Sequence, residues 1–429
     1  MKKVCLISLG CAKNLVDSEN ILGLLSFDKY QLVPTTEEAD YIFINTCGFI
    51  EPSKKESINT ILDACATGKK VIVTGCLVER YLDDLKKEIP EVALWIPIRD
   101  YYRFNELIQE LDEELLNAGG VDDHLRVVST GPYSAYLKIG EGCDNRCSYC
   151  AIPLIRGGFV SRDKQDIILE AKELASRGYK ELIVLEQDTT KYGIDLPYET
   201  DIVDLLEELL KIKELDYIRL LYLYPDEITD ELINLIIDNP KLTPYFDIPI
   251  QHSEDKILES MNRRGNKELL RSLFKKIRDK NPLAILRTTI MVGFPGETEE
   301  DFNNLKEFIK EIEFDHLGCF TYSKEEGTPS YNFPNQIDEE VKQKRMNEIM
   351  KIQQGISYRR NKLHLNEGME GLVVGMDHDY YLLRSYYNAP DDIDGKIFFK
   401  SEKPLTLGDK VKVKINEVFV YDLIGELVE

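Results

Sequence analysis

No apolar run in the 429-residue sequence approaches the ~20 residues that a membrane helix needs, which excludes an α-helical span. Positive charge is also scarce: Lys and Arg total 54 against 77 Asp and Glu, a net charge of −23 at pH 7. A surface of that sign repels nucleic acid and favours basic partners. Disulfide patterning is missing too. The nine cysteines are odd in number and lack framework spacing, which points to a reducing, cytoplasmic compartment. The N-terminus briefly imitates a lipoprotein signal, with Lys2-Lys3, an apolar run from Val4 to Leu9, then Gly10-Cys11. That run is too short for a secretory segment and Ser8 interrupts it, so it reads as a first β-strand. Apolar content of 43% with 31% charged residues suits a globular protein, and the length suits two or three domains.

What the sequence does have is one dense stretch, Gly142-Cys143-Asp144-Asn145-Arg146-Cys147-Ser148-Tyr149-Cys150-Ala151-Ile152-Pro153. Thiolates are soft ligands that select iron-sulfur clusters, zinc or cuprous copper. Three on one tight loop can hold three corners of a cubane cluster and leave the fourth iron open for chemistry. A structural zinc site draws four ligands, usually in two close pairs. Here His124 lies across an expected linker and the next cysteine is Cys319. An iron-sulfur cluster therefore leads, with zinc and metal-free thiols as alternatives.

The first 100 residues repeat one design. Apolar runs at 3–9, 40–45 and 70–74 are followed by Cys11, Cys47 and Cys76, and then by helical patterns at 17–25, 53–66 and 79–88. Alternating strands and helices predict a parallel sheet, whose functional loops gather at the carboxyl ends of its strands. Three cysteines at equivalent strand ends predict a second three-thiolate cluster. Buried structural thiols are the alternative, and Cys5 and Cys65 are read that way. A last helix at 102–116 precedes a linker at 117–123, rich in glycine and aspartate.

Six strand candidates follow, at 134–139, 181–185, 217–223, 245–250, 285–292 and 316–322. Helical patterns separate them at 163–177, 201–213, 229–237, 267–280 and 299–312. Repeated βα units of this number predict an open or partial barrel with its site at the carboxyl ends. The three-cysteine loop follows the first strand. Glu186, Gln251 and Glu297 stand just past the second, fourth and fifth strands, as does His252 beside Gln251, and Thr298 is placed to cap a helix. Strand-end position alone makes them candidate ligand contacts.

Cys143-x3-Cys147-x2-Cys150, with aromatic Tyr149 before the last cysteine, resembles the signature of radical S-adenosylmethionine (SAM) enzymes. With Cys11, Cys47 and Cys76 in front, the whole chain resembles the methylthiotransferases of that superfamily. The resemblance implies two 4Fe-4S clusters, an auxiliary one on Cys11, Cys47 and Cys76 and a SAM-binding one on Cys143, Cys147 and Cys150. It also implies reductive cleavage of SAM to a 5′-deoxyadenosyl radical, hydrogen abstraction from the target, and insertion of sulfur and a methyl group. An external electron donor is then required. Tyr149, Glu186, Gln251 and Glu297 become candidate contacts to SAM.

The expected organisation is an α/β chain in three parts: an N-terminal parallel α/β domain at 1–120, a partial (βα)6 radical SAM barrel at 130–362, and a small antiparallel β-barrel at 363–429. The last part has short strands at 371–374, 380–384, 395–399, 410–415 and 422–427 and resembles a TRAM domain, a barrel often used on RNA. From Lys362 onward, however, eight Lys and Arg face thirteen Asp and Glu, a net of −5. An RNA-binding module normally shows a basic face, so a basic ribosomal protein suits this barrel better than tRNA. Ser8-Leu9-Gly10-Cys11-Ala12-Lys13-Asn14, the 322–329 stretch Tyr-Ser-Lys-Glu-Glu-Gly-Thr-Pro and Tyr421-Asp422-Leu423 resemble the branch that modifies an aspartate of protein twelve of the small ribosomal subunit. A tRNA adenosine methylthiotransferase and a two-cluster electron carrier are the alternatives.

Overall fold

The computed structural model describes residues 1–25, 30–112, 126–390 and 393–428. The linker expected at 117–123 lies outside those residues. Packing divides the chain into two compact units. The first comprises Met1–Ser129, Glu141–Val160 and Ser323–Tyr331; the second comprises Thr130–Gly140, Ser161–Tyr322 and Asn332–Glu429.

Among the described residues, the first unit is built on five strands: β1 (Lys2–Ser8), β2 (Tyr30–Leu32), β3 (Tyr41–Thr46), β4 (Lys70–Gly75) and β5 (Leu94–Ile96). They lie in the order β2-β1-β3-β4-β5 and all pairs are parallel. Alternation sorts their side chains between two cores. Ile42, Ile44, Val71 and Val73 pack with Ile61, Ala64 and Leu77 on one face. Phe43 and Ile72 pack with Ile21, Leu22, Phe104 and Ile108 on the other. The helices are α1 (Ala12–Leu24), α2 (Glu51–Ala66), α3 (Cys76–Glu88) and α4 (Phe104–Leu111). Three of them start earlier than expected, α1 and α3 by enough that Cys11 is the N-cap of α1 and Cys76 the first residue of α3. The edge strands β2 and β5 are three residues each and were not expected. Of the helix expected at 102–116, residues 104–111 form α4, 102 and 103 belong to a 3-10 turn at Ile98–Arg103, Asp112 ends α4, and 113–116 lie outside the described residues.

The second unit holds the six expected strands, beginning with β6 (Ser134–Lys138) and continuing with Glu181–Leu185, Tyr217–Leu220, Tyr245–Asp247, Ile285–Val292 and His316–Thr321. They pair in parallel as two runs of three, joined by a parallel bridge between Ile218 and Leu242. The five intervening helices fall where the apolar spacing put them; Lys267–Lys280 and Glu299–Ile312 match to the residue. Thr298 caps the latter in a reciprocal box with Asp301.

The C-terminal strands Gly368–Asp377, Tyr380–Ser385, Ile397–Lys400, Lys410–Val418 and Leu423–Leu427 close into a barrel. Its pairings are antiparallel except one. Ile397–Lys400 runs parallel to Leu423–Leu427, because the strand between them in sequence lies on the far side of the last one. The barrel docks on the amino ends of the central strands. Arg219, 1% exposed, pairs with Glu181 at 3.1 Å, donates to the Ser385 carbonyl at 2.7 Å and lies over the Tyr245 ring. Tyr245 donates to Asp394 at 2.6 Å, and His316 lies 2.8 Å from the Tyr387 carbonyl. The carboxyl ends of the same strands are left to other work.

The long helix Glu339–Asn361 is tied to the sheet through Asp315, which is buried between Arg278 (2.6 Å) and Arg360 (2.8 Å). Burial pushes the Asp315 carboxyl up, but the two guanidiniums outweigh it and hold it below the usual carboxylate range. The stability this confers is present above the ordinary carboxylate pKa of about 3.9 and is lost as pH falls further. Asp315→Ala is expected to cost about 3–5 kcal/mol, because two buried cations lose their counter-charge. Thermal melting at neutral pH checks this; an unchanged midpoint would show the network to be dispensable.

Candidate active site

The register of the first unit sets Ser8 opposite Asn45 and Asn45 opposite Thr74. Cys11, Cys47 and Cys76 therefore leave three adjacent strands at one edge. Gly10 (φ +91°) carries the first loop over the second; a Cβ there would lie 3.1 Å from Cys47 Sγ. Asn14, three residues after Cys11, ties the set together. Its Nδ2 donates to the carbonyls of Leu9 (2.9 Å) and Thr46 (3.0 Å), and its Oδ1 accepts from Cys76 Sγ at 3.4 Å. Asn45 Nδ2 donates to the Asn14 carbonyl at 2.8 Å. Cys11 is exposed, whereas Cys47 and Cys76 are buried. Burial pushes the Cys47 thiol up and that of Cys76 to about 12, while the Arg156 guanidinium pulls Cys76 the other way.

The three-cysteine loop belongs to this same unit. Cys143 N donates to the Gly157 carbonyl at 3.2 Å, Cys150 N to Cys147 O at 3.0 Å, and Ser330 N to Ser148 O at 2.8 Å. Ile152 N reaches Cys150 Sγ at 3.5 Å. Cys147 is buried, and Cys143, Tyr149 and Cys150 are half-buried. The loop runs into the short helix α5 (Ile152–Arg156), where Ala151 and Ile155 pack on Cys76. All six cysteines singled out in the sequence thus fall in one unit, and none is in a disulfide. Among the described residues, no three Cys, His, Asp or Glu side chains close around one point as a single ion requires. A cubane cluster instead takes each cysteine on a different iron, and both sets offer the donor type and number for three corners.

The remaining candidates lie in the second unit, and their settings differ. Glu186 is wholly buried; its Oε2 accepts from the Asp188 amide at 2.7 Å and closes its own turn. Glu297 is likewise turned inward. Its Oε2 accepts from Gly293 N at 2.7 Å and its Oε1 from Arg345 at 2.8 Å. Burial, against the opposing pull of Arg345, raises its carboxyl to about 7. His252 Nε2 stands 3.8 Å from Glu297, and burial drives that imidazole down to about 3, so it is neutral. Gln251 is the half-buried one. Its backbone is left-handed (φ +68°), held by bonds from Gln251 N to Thr289 O and from Met291 N to Gln251 O, both 2.8 Å. Strain of that kind collects at ligand sites. Arg156 and Arg345 were not singled out in the sequence, and Asn14 was noted only as the end of the 8–14 stretch, with no role of its own.

Three family models match successive segments: "Uncharacterized protein family UPF0004" over residues 3–97, "Radical SAM superfamily" over 137–309 and "TRAM domain" over 367–428. The radical SAM methyltransferase TsrM of Kitasatospora setae, solved with cobalamin and a [4Fe-4S] cluster, shares the fold with a TM-score of 0.55 at 13% identity over 77% of each chain. The cobalamin-dependent SAM radical enzyme OxsB gives 0.51 at 14% identity, over 82% of this chain and 56% of that one. The class is therefore a radical SAM enzyme with an N-terminal UPF0004 domain and a C-terminal TRAM barrel. Proteins named ribosomal protein uS12 methylthiotransferase RimO align over the full length. The Acetivibrio thermocellus protein is 46% identical over 100% of this chain and 98% of its own. The Caldanaerobacter subterraneus one is 48% identical over 99% of this chain and 100% of its own, and the Aquifex aeolicus one 46% over 99% and 96%. The chain belongs to the family of ribosomal protein uS12 methylthiotransferases.

Loop geometry can be tested at two glycines. Gly142 (φ +77°) would place a Cβ 2.0 Å from the Gly158 carbonyl, whereas Gly157 (φ +76°) has nothing within 4 Å. Gly157→Ala is expected to cost roughly 1–3 kcal/mol, since φ +76° with ψ −163° is a conformation essentially confined to glycine, and Gly142→Ala distinctly more. Urea unfolding of both variants gives the comparison; equal losses would remove the steric role of Gly142.

Proposed function

We propose that the chain attaches a methylthio group to the β-carbon of an aspartate in ribosomal protein uS12. The observation that carries this is the full-length alignment, at 46–48% identity, with proteins named for that activity. When bound, two 4Fe-4S clusters and SAM supply a carbon radical, a sulfur atom and a methyl group; the chain's own residues supply position. Cys143, Cys147 and Cys150 hold the cluster that takes SAM, and Cys11, Cys47 and Cys76 hold the auxiliary one. Tyr149 and Gln251 are assigned to SAM contact, from their half-buried settings and the strained backbone of Gln251. Glu186 and Glu297 are assigned to SAM contact from their strand-end position, and their carboxylates also fix the turns there by accepting backbone amides.

The functional segments run 1–120 for sulfur supply, 130–362 for radical generation and 363–429 for the barrel. The net charge of −23 suits a basic ribosomal protein better than tRNA. An external donor reduces the clusters, and the thiol-rich site suits the reducing cytoplasm. Among the described residues no helix is long and apolar enough to cross a membrane.

Anaerobic reconstitution is expected to give about eight irons per chain, and about four after Ala replaces Cys11, Cys47 and Cys76. Incubation with SAM and a reductant should then yield 5′-deoxyadenosine, and mass spectrometry should find the methylthio group on uS12. Product on tRNA alone would overturn the substrate, and absence of 5′-deoxyadenosine would leave an electron carrier. Gln251→Ala is expected to weaken SAM binding in equilibrium dialysis while iron content stays the same.

A further inference from the structure

Arg156 ends α5, the short helix that follows the three-cysteine loop, yet its side chain is only 1% exposed. Its Nη2 donates to Asn14 Oδ1 at 2.6 Å and to Asp17 Oδ2 at 2.8 Å. Its Nη1 donates to Glu141 Oε2 at 2.8 Å. Asn14 is the residue whose amide spans the Leu9 and Thr46 carbonyls, and the oxygen that Arg156 binds is the one facing Cys76 Sγ. One guanidinium thus joins the loop that carries Cys143, Cys147 and Cys150 to the hub that organises Cys11, Cys47 and Cys76.

We propose that Arg156 is a positioning residue of the auxiliary site. It locks the Asn14 hub to the radical-forming loop and keeps a fixed positive charge beside Cys76. This rests on the two-cluster reading above. Burying a guanidinium is costly unless its donors are met in good geometry, and here Asp17, Glu141 and Asn14 meet it from both sides of the junction. A full cluster on Cys11, Cys47 and Cys76 would bring three thiolates to this buried edge. Net charge and hydrogen bonds near the sulfurs set the reduction potential of such a group. A cation beside Cys76 raises that potential. Its loss lowers it, and the stranded carboxylates of Asp17 and Glu141 push the same way. A lysine would keep the charge but not the two-sided fork.

The test uses the full chain with Cys143, Cys147 and Cys150 all changed to Ala, so that auxiliary iron is read alone. Arg156→Gln and Arg156→Lys are added separately, and iron content, circular dichroism and the midpoint potential by EPR-monitored titration are measured. The expected result is about four irons in the parent, a midpoint displaced to more negative values in Arg156→Gln, and one near the parent's in Arg156→Lys. Loss of iron from the Gln variant with retention in the Lys variant also supports the proposal. A Gln midpoint equal to the parent's, or equal displacement in both variants, overturns it; loss of iron from both with circular dichroism unchanged supports the lock, which lysine does not supply. A parent that binds no iron overturns the auxiliary-cluster reading itself.

Discussion

The rest of the site depends on the parallel register of β1, β3 and β4. Cysteines 11, 47 and 76 are too far apart in sequence to form a motif. They come to one edge of the sheet because Ser8, Asn45 and Thr74 are in line across it. A slip of one residue in any of the three strands would turn its side chains to the opposite face. Both faces are packed, so such a slip would exchange side chains between two filled cores and break the packing of each.

The unit that holds both cysteine sets also contains a patch from far along the chain. Glu325 is buried against Lys54 and Arg80, each at 3.0 Å, and Ser330 bonds the loop at Ser148. The Glu-Glu-Gly-Thr-Pro stretch noted for its resemblance therefore has a physical task. It supplies the carboxylate that two cations of α2 and α3 need, and Ser330 just after it pins the backbone between Cys147 and Cys150.

Much of this was legible because the signals were local. Apolar runs ending in cysteine gave the three strands and their loops, and 3.6-residue spacing gave Lys267–Lys280 to the residue. The edge strands Tyr30–Leu32 and Leu94–Ile96 were missed because three residues carry no period; they exist by pairing with longer neighbours. The starts of α1 and α3 were placed late, since the residues around Cys11 and Cys76 look like loop until the sheet positions them. Glu186 and Glu297 illustrate a different limit. Their place at strand ends was right, but sequence cannot say whether a carboxylate faces a ligand or folds back on an amide. Arg156 was unreadable for a simpler reason: its partner Asp17 lies 139 residues away.

The barrel docked under the central strands bears on how the chain is made. Arg219 receives its carbonyl partner from Ser385, 166 residues later, and Tyr245 waits for Asp394, 149 residues later. During synthesis from the N-terminus the first sheet can close early, while the central strands emerge with their amino ends uncovered. Those ends carry the charged and hydroxyl groups of Glu181, Arg219 and Tyr245, which the barrel later meets. The barrel thus acts as a closing plug: the central strands are all made by residue 321, but their amino ends are covered only once the strands from Gly368 onward have followed.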